Sequence, residues 1–236
     1  RLEYTSDRIY GIDISRFQHD VGRKHYPIDW SRVRISHLGK ISRKHVRGNV
    51  DYPISFCYIK STEGTSIRNR YYRADCTAAR GRGIKVGAYH FFSTRSSASA
   101  QAQFFIRNTS FHKGDLPPVL DVEPTHAQIK KMGGPEPLFR AVRTWLRIVG
   151  AHTGTRPVLY ISQNFVNRYL PSAPDLKHDY NIWIARYGEY KPDVHLVYWQ
   201  LCPDGRVTGI RPEVDINVFN GYKNEYRDFL SKECIK

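Results

Sequence analysis

The strongest constraint on the fold of this 236-residue chain is a series of eight short runs of apolar, β-branched and aromatic residues. Each run has the length and composition of a β-strand. Segments with the apolar spacing of an amphipathic helix separate the first five runs and follow the fifth. The strand-like runs cover residues 9–14, 55–60, 84–91, 118–123, 157–161, 180–186, 196–201 and 214–218, and the helix-like segments cover residues 30–35, 67–82, 97–108, 135–152 and 164–170. This alternation is typical of a parallel α/β sheet.

The pattern changes after the sixth run, because the gaps that follow the sixth and seventh runs are tight for a crossover helix. The order therefore predicts five β/α units followed by three strands without helices. A length of 236 residues fits one barrel of this kind. We predict a single α/β domain, an irregular TIM-like (β/α)5(β)3 barrel, with a basic insertion at about residues 32–53.

The chain carries 37 Lys and Arg against 22 Asp and Glu, a net charge of +15. This charge favours association with anionic polymers, without choosing among them. The basic stretch from Arg32 to Arg47 fits either a solvated insertion loop or a patch that attracts polyanions. It lacks the interleaved aromatics of a single-strand nucleic-acid groove, so we expect no nucleic-acid partner. No run approaches the roughly 18 apolar residues of a membrane span.

Cysteine spacing argues against a metal centre. The chain has no CxxC pair and no Cys/His ligand pattern, so we predict neither a metal site nor a cofactor. We expect packed free thiols at Cys57 and Cys76. Cys202 could form a disulfide bridge with Cys234 if the compartment is oxidising.

The segment from Leu116 to Pro124 contains two carboxylates at the end of the fourth strand-like run. Alternate residues of a strand share a face, so Asp121 and Glu123 point the same way, about 7 Å apart along the chain. Two acids on the inner face of a barrel strand are costly unless the protein uses them. The carboxyl end of a barrel strand is also where such enzymes place their chemistry.

Two more acids occupy comparable positions in the first and eighth runs. Asp13 lies within the first run and Asp215 within the eighth. Because the first and last strands of a closed barrel are neighbours, we expect these acids to approach the Asp121–Glu123 pair. Together, the four carboxylates indicate a functional site.

Clustered carboxylates suit either a hard-cation site or the cleavage of a glycosidic bond. In the second case, a protonated acid donates to the leaving oxygen and ionised neighbours stabilise positive charge at the anomeric carbon. The supply of aromatic residues near the strand ends favours sugar, because the C–H faces of sugar rings pack on aromatic side chains. The candidate aromatic contacts are Tyr58, Tyr89, Phe91, Tyr160, Trp183, Tyr187 and Trp199.

Several motifs in fixed order resemble glycoside hydrolase family 25, the Chalaropsis-type and phage-type lysozymes. The resemblance runs from Tyr10 to about Tyr222. The matching motifs are Gly11-Ile-Asp-Ile-Ser15 with Gln18, Ile28-Asp-Trp30, Tyr58-Ile-Lys-Ser-Thr-Glu-Gly64, Gly87-Ala-Tyr-His-Phe-Phe92, the strand from Leu116 to Glu123, Ile182-Trp-Ile-Ala-Arg-Tyr187, Trp199-Gln200 and Val214-Asp-Ile-Asn217. The residues between Trp30 and Tyr58, which include the basic stretch, are an insertion relative to the usual pattern.

The resemblance implies an irregular (β/α)5(β)3 barrel that hydrolyses the β-1,4 bond between N-acetylmuramic acid and N-acetylglucosamine. It implies Glu123 as general acid, with Asp121 orienting the substrate's 2-acetamido group or assisting water. Asp13 and Asp215 match the other acids of the site. The family has polar or aromatic active-site residues at the positions that correspond to Lys60, Tyr89 and Gln200 of this chain.

From this function we expect an extracytoplasmic monomer that acts on the glycan strands of peptidoglycan and can associate with anionic cell-envelope polymers. Two alternatives stay open. One is an endo-N-acetylglucosaminidase or chitinase-like enzyme, although the DxxDxDxE strand of barrel chitinases is absent before Glu123. The other is a cell-wall-binding protein without activity, which would be expected to lose one of the acids.

Overall fold

Eight strands close into a barrel in the computed structural model, which describes residues 7–40, 49–185 and 193–236. The strands follow one another around the barrel in chain order. Their bounds are β1 Tyr10–Ile14, β2 Phe56–Glu63, β3 Lys85–Phe91, β4 Val119–Asp121, β5 Val158–Ser162, β6 Asn181–Ala185, β7 Leu196–Thr208 and β8 Val214–Phe219. The predicted barrel class is therefore confirmed.

Strand direction is uniform except at the closing strand. Strands β1 to β7 pair in parallel from each to the next. Strand β8 runs antiparallel to both β7 and β1 and closes the barrel between them. Seven strands thus end on the same side of the barrel, where their carboxyl ends can build one site.

The helices lie outside the barrel, and four of the predicted five correspond to helices found near the expected positions. Helix α4 begins at Pro135, has its predicted apolar stripe buried, and ends at Gly154 in the left-handed conformation. The helix bounds are α1 Tyr72–Gly81, α2 Ala98–Asn108, α3 His126–Lys131, α4 Pro135–Thr153, α5 Gln163–Arg168, α6 Pro174–His178 and α7 Lys223–Glu233. Single 3-10 turns cover Arg16–Gln18, Trp30–Arg32 and Leu170–Ser172.

The predicted helix at residues 30–35 is wrong beyond its first turn. Residues Arg34–His37 form a strand that pairs with Asn49–Tyr52 on one side and with the end of β7 on the other. Ile35 is fully buried in this small sheet. The described part of the insertion is therefore an antiparallel strand pair that extends the barrel wall, not only a solvated loop. Residues 41–48 of the basic stretch lie outside the described residues.

Two further short strand pairs lie at the barrel periphery. Asp20–Val21 pairs with Lys24–His25. Ile67–Arg68 folds back on the end of β2, so helix α1 begins later than the sequence predicts.

The barrel interior below the site is filled by aromatic side chains. Phe56 and Tyr58 point inward from β2 and pack with Tyr198 and Phe219. A Cβ on Gly87 would overlap the Tyr58 ring, so glycine on β3 makes room for that ring. This aromatic layer lies directly below the polar site.

All four cysteines are buried free thiols. The bridge between Cys202 and Cys234 that the sequence left open is absent from this structure. In the described part of the chain, no helix is both long and apolar enough to cross a bilayer.

Candidate active site

A cleft of about 360 Å³ opens at the carboxyl ends of the parallel strands. Inward-facing residues of every barrel strand line it, because side chains alternate between the two faces of each strand. The lining residues are Asp13, Ser15, Phe17, Lys60, Tyr89, Phe91, Val119, Asp121, Glu123, Tyr160, Trp183, Ala185, Gln200 and Asp215. All four predicted carboxylates thus share one cleft.

The two acids of the fourth strand differ in their surroundings. Asp121 ends β4 at the cleft floor, and its Oδ1 is buried without a hydrogen-bond partner among the described residues. Burial, followed by the negative charge of Glu123, raises the pKa of Asp121 well above the usual carboxyl value. Glu123 lies two residues further, exposed at the cleft mouth. Asp121 therefore holds a proton at a pH where an isolated aspartate is ionised, and a hydrogen bond links its side chain to Glu123.

Asp13 and Asp215 form a second carboxyl pair. They are opposite each other in the antiparallel register of β1 and β8, and their side chains are hydrogen-bonded. Asp13 also accepts hydrogen bonds from Nδ2 of Asn217 at 2.8 Å and from Nε2 of Gln200 at 3.1 Å. Burial raises the pKa of both carboxyls, and the charge of Asp13 raises that of Asp215 further.

Tyr89 lines the cleft near both pairs. Burial raises the pKa of its hydroxyl far above the usual value, and all four carboxylates add to this effect. The phenol therefore stays protonated and can donate a hydrogen bond throughout the working pH range. Nearby, Nζ of Lys60 contacts Oε1 of Glu63 at 2.6 Å and lies 5.2 Å from the Phe91 ring centroid. Lys60 lowers the pKa of Asp121, against the larger effects of burial and Glu123.

Phe17 was not predicted, although it stands at the lip of the cleft with 61% of its surface exposed. A capping box explains its position, because Oγ of Ser15 accepts from the amide of Phe17 at 3.2 Å and the Gln18 side chain accepts from the amide of Ser15 at 2.7 Å. The Ser15 to Gln18 motif could therefore have located Phe17.

Two of the predicted substrate contacts are corrected by the structure. Tyr58 is fully buried one layer below Lys60, and its hydroxyl donates to the carbonyl oxygen of Pro117 at 3.1 Å. Trp199 points away from the cleft and packs in the outer core, with the Arg8 guanidinium 5.0 Å from its ring centroid. Trp199 and Gln200 are adjacent on β7, so only one of them can face inward.

The other predicted contacts lie as follows. Lys60, Tyr89, Phe91, Tyr160, Trp183 and Gln200 line the cleft. Tyr187 lies outside the described residues. Asn217 belongs to one of the family motifs but was not predicted as a site residue. Its position two residues after Asp215 could have identified it, because residues two apart on a strand share a face and Asn217 therefore points inward from β8 like Asp215.

Comparison with known proteins identifies the family of this barrel. The sequence matches the family model of Glycosyl hydrolases family 25 over residues 12–210. The chain belongs to this family. It is therefore a glycoside hydrolase, which resolves the choice between a cation site and glycosidic cleavage that the carboxylates alone left open.

Similar sequences and structures extend across most of this family 25 chain. "Uncharacterized protein YegX" of Escherichia coli strain K12 is 35% identical over 229 residues, which cover 96% of this chain and 75% of that protein. Lysozyme M1 of Streptomyces globisporus is 31% identical, over 90% of this chain and 68% of that protein. The bacterial lysozyme structure from Streptomyces coelicolor has a TM-score of 0.72 at 28% identity, over 94% of this chain and 96% of that chain.

We expect Asp121→Asn to stabilise the family 25 barrel while it impairs catalysis. A carboxyl whose pKa is higher in the folded than in the unfolded state stabilises the fold at low pH, and this stabilisation is lost as the pH rises through the raised pKa. The wild type should thus lose stability from about pH 4 upward, and the amide variant should lose less over the same range, because only the raised pKa values of Asp13 and Asp215 then contribute. At pH 7 we expect the variant to be about 1–2 kcal/mol more stable in urea unfolding. Asp228→Asn, an exposed change on α7, is the control; an equal gain there, or no gain at Asp121, would contradict the assignment.

Proposed function

We propose that this glycoside hydrolase cleaves the β-1,4 bond between N-acetylmuramic acid and N-acetylglucosamine in peptidoglycan, with Glu123 as general acid. The observation that carries the proposal is the pairing of Asp121 with Glu123 at the carboxyl end of β4, inside a cleft that also contains Asp13 and Asp215. Relatives named lysozyme and N,O-diacetylmuramidase support the choice of substrate.

In the proposed reaction, the proton that Asp121 holds passes to Glu123 along the hydrogen bond between the two side chains. Glu123 donates it to the glycosidic oxygen as the bond from that oxygen to the anomeric carbon breaks. Asp121, ionised once Glu123 carries the proton, accepts a hydrogen bond from the 2-acetamido N–H. The acetamido carbonyl oxygen then bonds to the anomeric carbon. Water opens this cyclic intermediate and returns a proton to Glu123.

The surroundings of the cleft support a polymeric substrate. A neighbouring pocket of about 580 Å³ shares Phe91 and Glu123 with the cleft. A second pocket of about 380 Å³ shares Asp13, Phe17 and Asp215 with it. The shared residues connect one pocket to the Glu123 side of the cleft and the other to its Asp13 and Asp215 side. This arrangement is suited to cleavage within a glycan chain rather than at its end.

Because the proposed substrate is a wall polymer, we also propose that the protein acts outside the cytoplasm, as a monomer. The net charge of +15 would assist its approach to anionic envelope polymers.

We expect Phe17→Ala to weaken substrate binding more than it slows cleavage. The exposed ring offers an apolar face at the cleft lip for a sugar ring, while the Arg16 guanidinium lies 5.0 Å from its centroid. Loss of this contact should raise KM by about 5- to 20-fold, with kcat changed much less. Initial-rate kinetics on soluble glycan fragments test this. The matched control is Val21→Ala, exposed outside the cleft; an unchanged KM at Phe17 would exclude the ring from binding.

The proposed function is tested by incubating purified peptidoglycan sacculi with the wild-type protein. The proposal predicts loss of turbidity together with release of soluble disaccharide-peptide fragments. Sacculi that stay intact, with no soluble fragments, would contradict it. Chitin oligomers run in parallel test the alternative specificity, and their cleavage in preference to peptidoglycan would replace the proposed substrate.

A further inference from the structure

A chain of hydrogen bonds that the proposed cleavage steps do not use joins the cleft residues Trp183, Gln200 and Asp13 through Asn217. The indole Nε1 of Trp183 donates to Oδ1 of Asn217 at 2.8 Å. Nδ2 of Asn217 donates to Oδ2 of Asp13 at 2.8 Å, and Nε2 of Gln200 donates to the same oxygen at 3.1 Å. Asn217 is fully buried. Two amide groups therefore converge on one oxygen of Asp13.

The indole fixes the orientation of the Asn217 amide. An indole N–H can only donate a hydrogen bond, so the atom that faces Trp183 must be the carbonyl oxygen of Asn217. The NH₂ group must then face Asp13. A reversed amide would place N–H against N–H on one side and oxygen against a carboxylate oxygen on the other. Trp183 thus determines what Asn217 presents to Asp13.

This orientation decides which carboxyl of the Asp13–Asp215 pair holds the proton. The bond between the two side chains requires one carboxyl to donate. Oδ2 of Asp13 already accepts two N–H donors, and such bonds favour the ionised form. Among the described residues, Asp215 receives no comparable pair of amide donors, and its pKa is raised by burial and by the charge of Asp13. The proton consequently belongs to Asp215.

We propose that Asn217, held by Trp183, is a positioning residue that keeps Asp13 ionised and places the proton of the Asp13–Asp215 pair on Asp215. An ionised Asp13 gives the cleft a fixed negative charge where positive charge develops at the anomeric carbon. That last role rests on the proposed function, whereas the location of the proton does not. Of the residues that the structure describes, the other titratable or charged groups near the pair are those that line the cleft and the adjoining pocket, namely Asp121, Glu123, Tyr89, Lys60, Tyr160 and Glu213, together with the buried thiols of Cys57 and Cys202.

The test is a ¹³C titration of the aspartate carboxyl groups by NMR, with Asp13 and Asp215 assigned through single Asp→Asn variants. In the wild type, Asp13 should ionise at lower pH than Asp215. Asn217→Leu removes one donor from Asp13 and should raise its titration midpoint by about one pH unit or more. Trp183→Phe keeps an aromatic ring but removes the indole N–H together with part of the ring system, and it should shift the midpoint in the same direction. This second variant answers the question if Asn217→Leu does not fold.

The control is Tyr198→Phe, which removes a buried hydroxyl that hydrogen-bonds Tyr58 at 3.2 Å but does not contact Asp13. It should lower the melting temperature and leave the Asp13 titration unchanged, as a merely structural role would. Unchanged midpoints in the folded variants at Asn217 and Trp183, or ionisation of Asp215 before Asp13, would overturn the proposal. The titration needs no substrate, so a wild type that fails to cleave peptidoglycan refutes only the proposed function.

Discussion

Replacement of Glu123 by glutamine is expected to reduce kcat by about 10²- to 10⁴-fold, because the amide cannot donate a proton to the leaving oxygen. Glu123 is exposed at the mouth of the cleft, so the nearly isosteric change should leave the fold intact. The loss should also depend on the leaving group. An aryl glycoside with an acidic phenol needs little protonation, and its cleavage should suffer much less than cleavage of peptidoglycan.

The matched control for this variant is Glu63→Gln, since Glu63 lies beside the cleft and contacts Lys60 instead of the scissile bond. We expect that change to reduce kcat by less than about 10-fold, well below the contribution of a general acid. Circular dichroism and melting temperature establish that both variants are folded. Unaltered activity of a folded Glu123→Gln protein would remove Glu123 from the mechanism.

Truncation of Trp145 to alanine is expected to have the largest effect on stability, about 3–5 kcal/mol, because it leaves a cavity in the packed layer between α4 and the barrel. Trp145 is fully buried and stacks on His90 with ring centroids 5.7 Å apart. For a chain of this length, the melting temperature should fall by about 10–15 °C. Because His90 lies between Tyr89 and Phe91 on β3, we also expect weaker substrate binding in the variant.

The control is Trp145→Phe, which keeps an aromatic ring in the same space. Nε1 of Trp145 is buried without a hydrogen-bond partner among the described residues, so its removal should cost nothing in hydrogen bonding. We expect the phenylalanine variant to lose much less stability than the alanine variant. Equal losses in thermal unfolding would show that ring packing is not what Trp145 contributes.

Much of the site could be predicted because two simple geometric rules place its carboxylates. Side chains alternate on a strand, and this rule alone puts Asp121 and Glu123 on one face. Closure of a barrel makes its first and last strands neighbours, which brings Asp13 beside Asp215. Both rules depend only on the strand assignment, and the eight runs were assigned to strands correctly.

The wrong predictions concern residues whose position depends on their depth in the barrel or on pairing with a segment distant in the sequence. Tyr58 and Lys60 share an inward face, but the chain does not reveal that Tyr58 lies in the filled layer below the cleft. Trp199 was chosen for its aromatic ring, although its neighbour Gln200 takes the inward position. In the insertion, the strand Arg34–His37 pairs with the end of β7, which is distant in the sequence, and a local sequence pattern does not encode such a pairing.

The predicted specificity for muramic acid is tested most directly by the sugar at the new reducing end. Peptidoglycan digested by the wild type is reduced with borohydride, hydrolysed and analysed by mass spectrometry, with Glu123→Gln as the inactive control. We predict that muramitol appears in step with solubilisation and that glucosaminitol does not. Glucosaminitol without muramitol would show cleavage of the other glycosidic bond and would contradict the proposed function, even if Glu123 proved to be the acid.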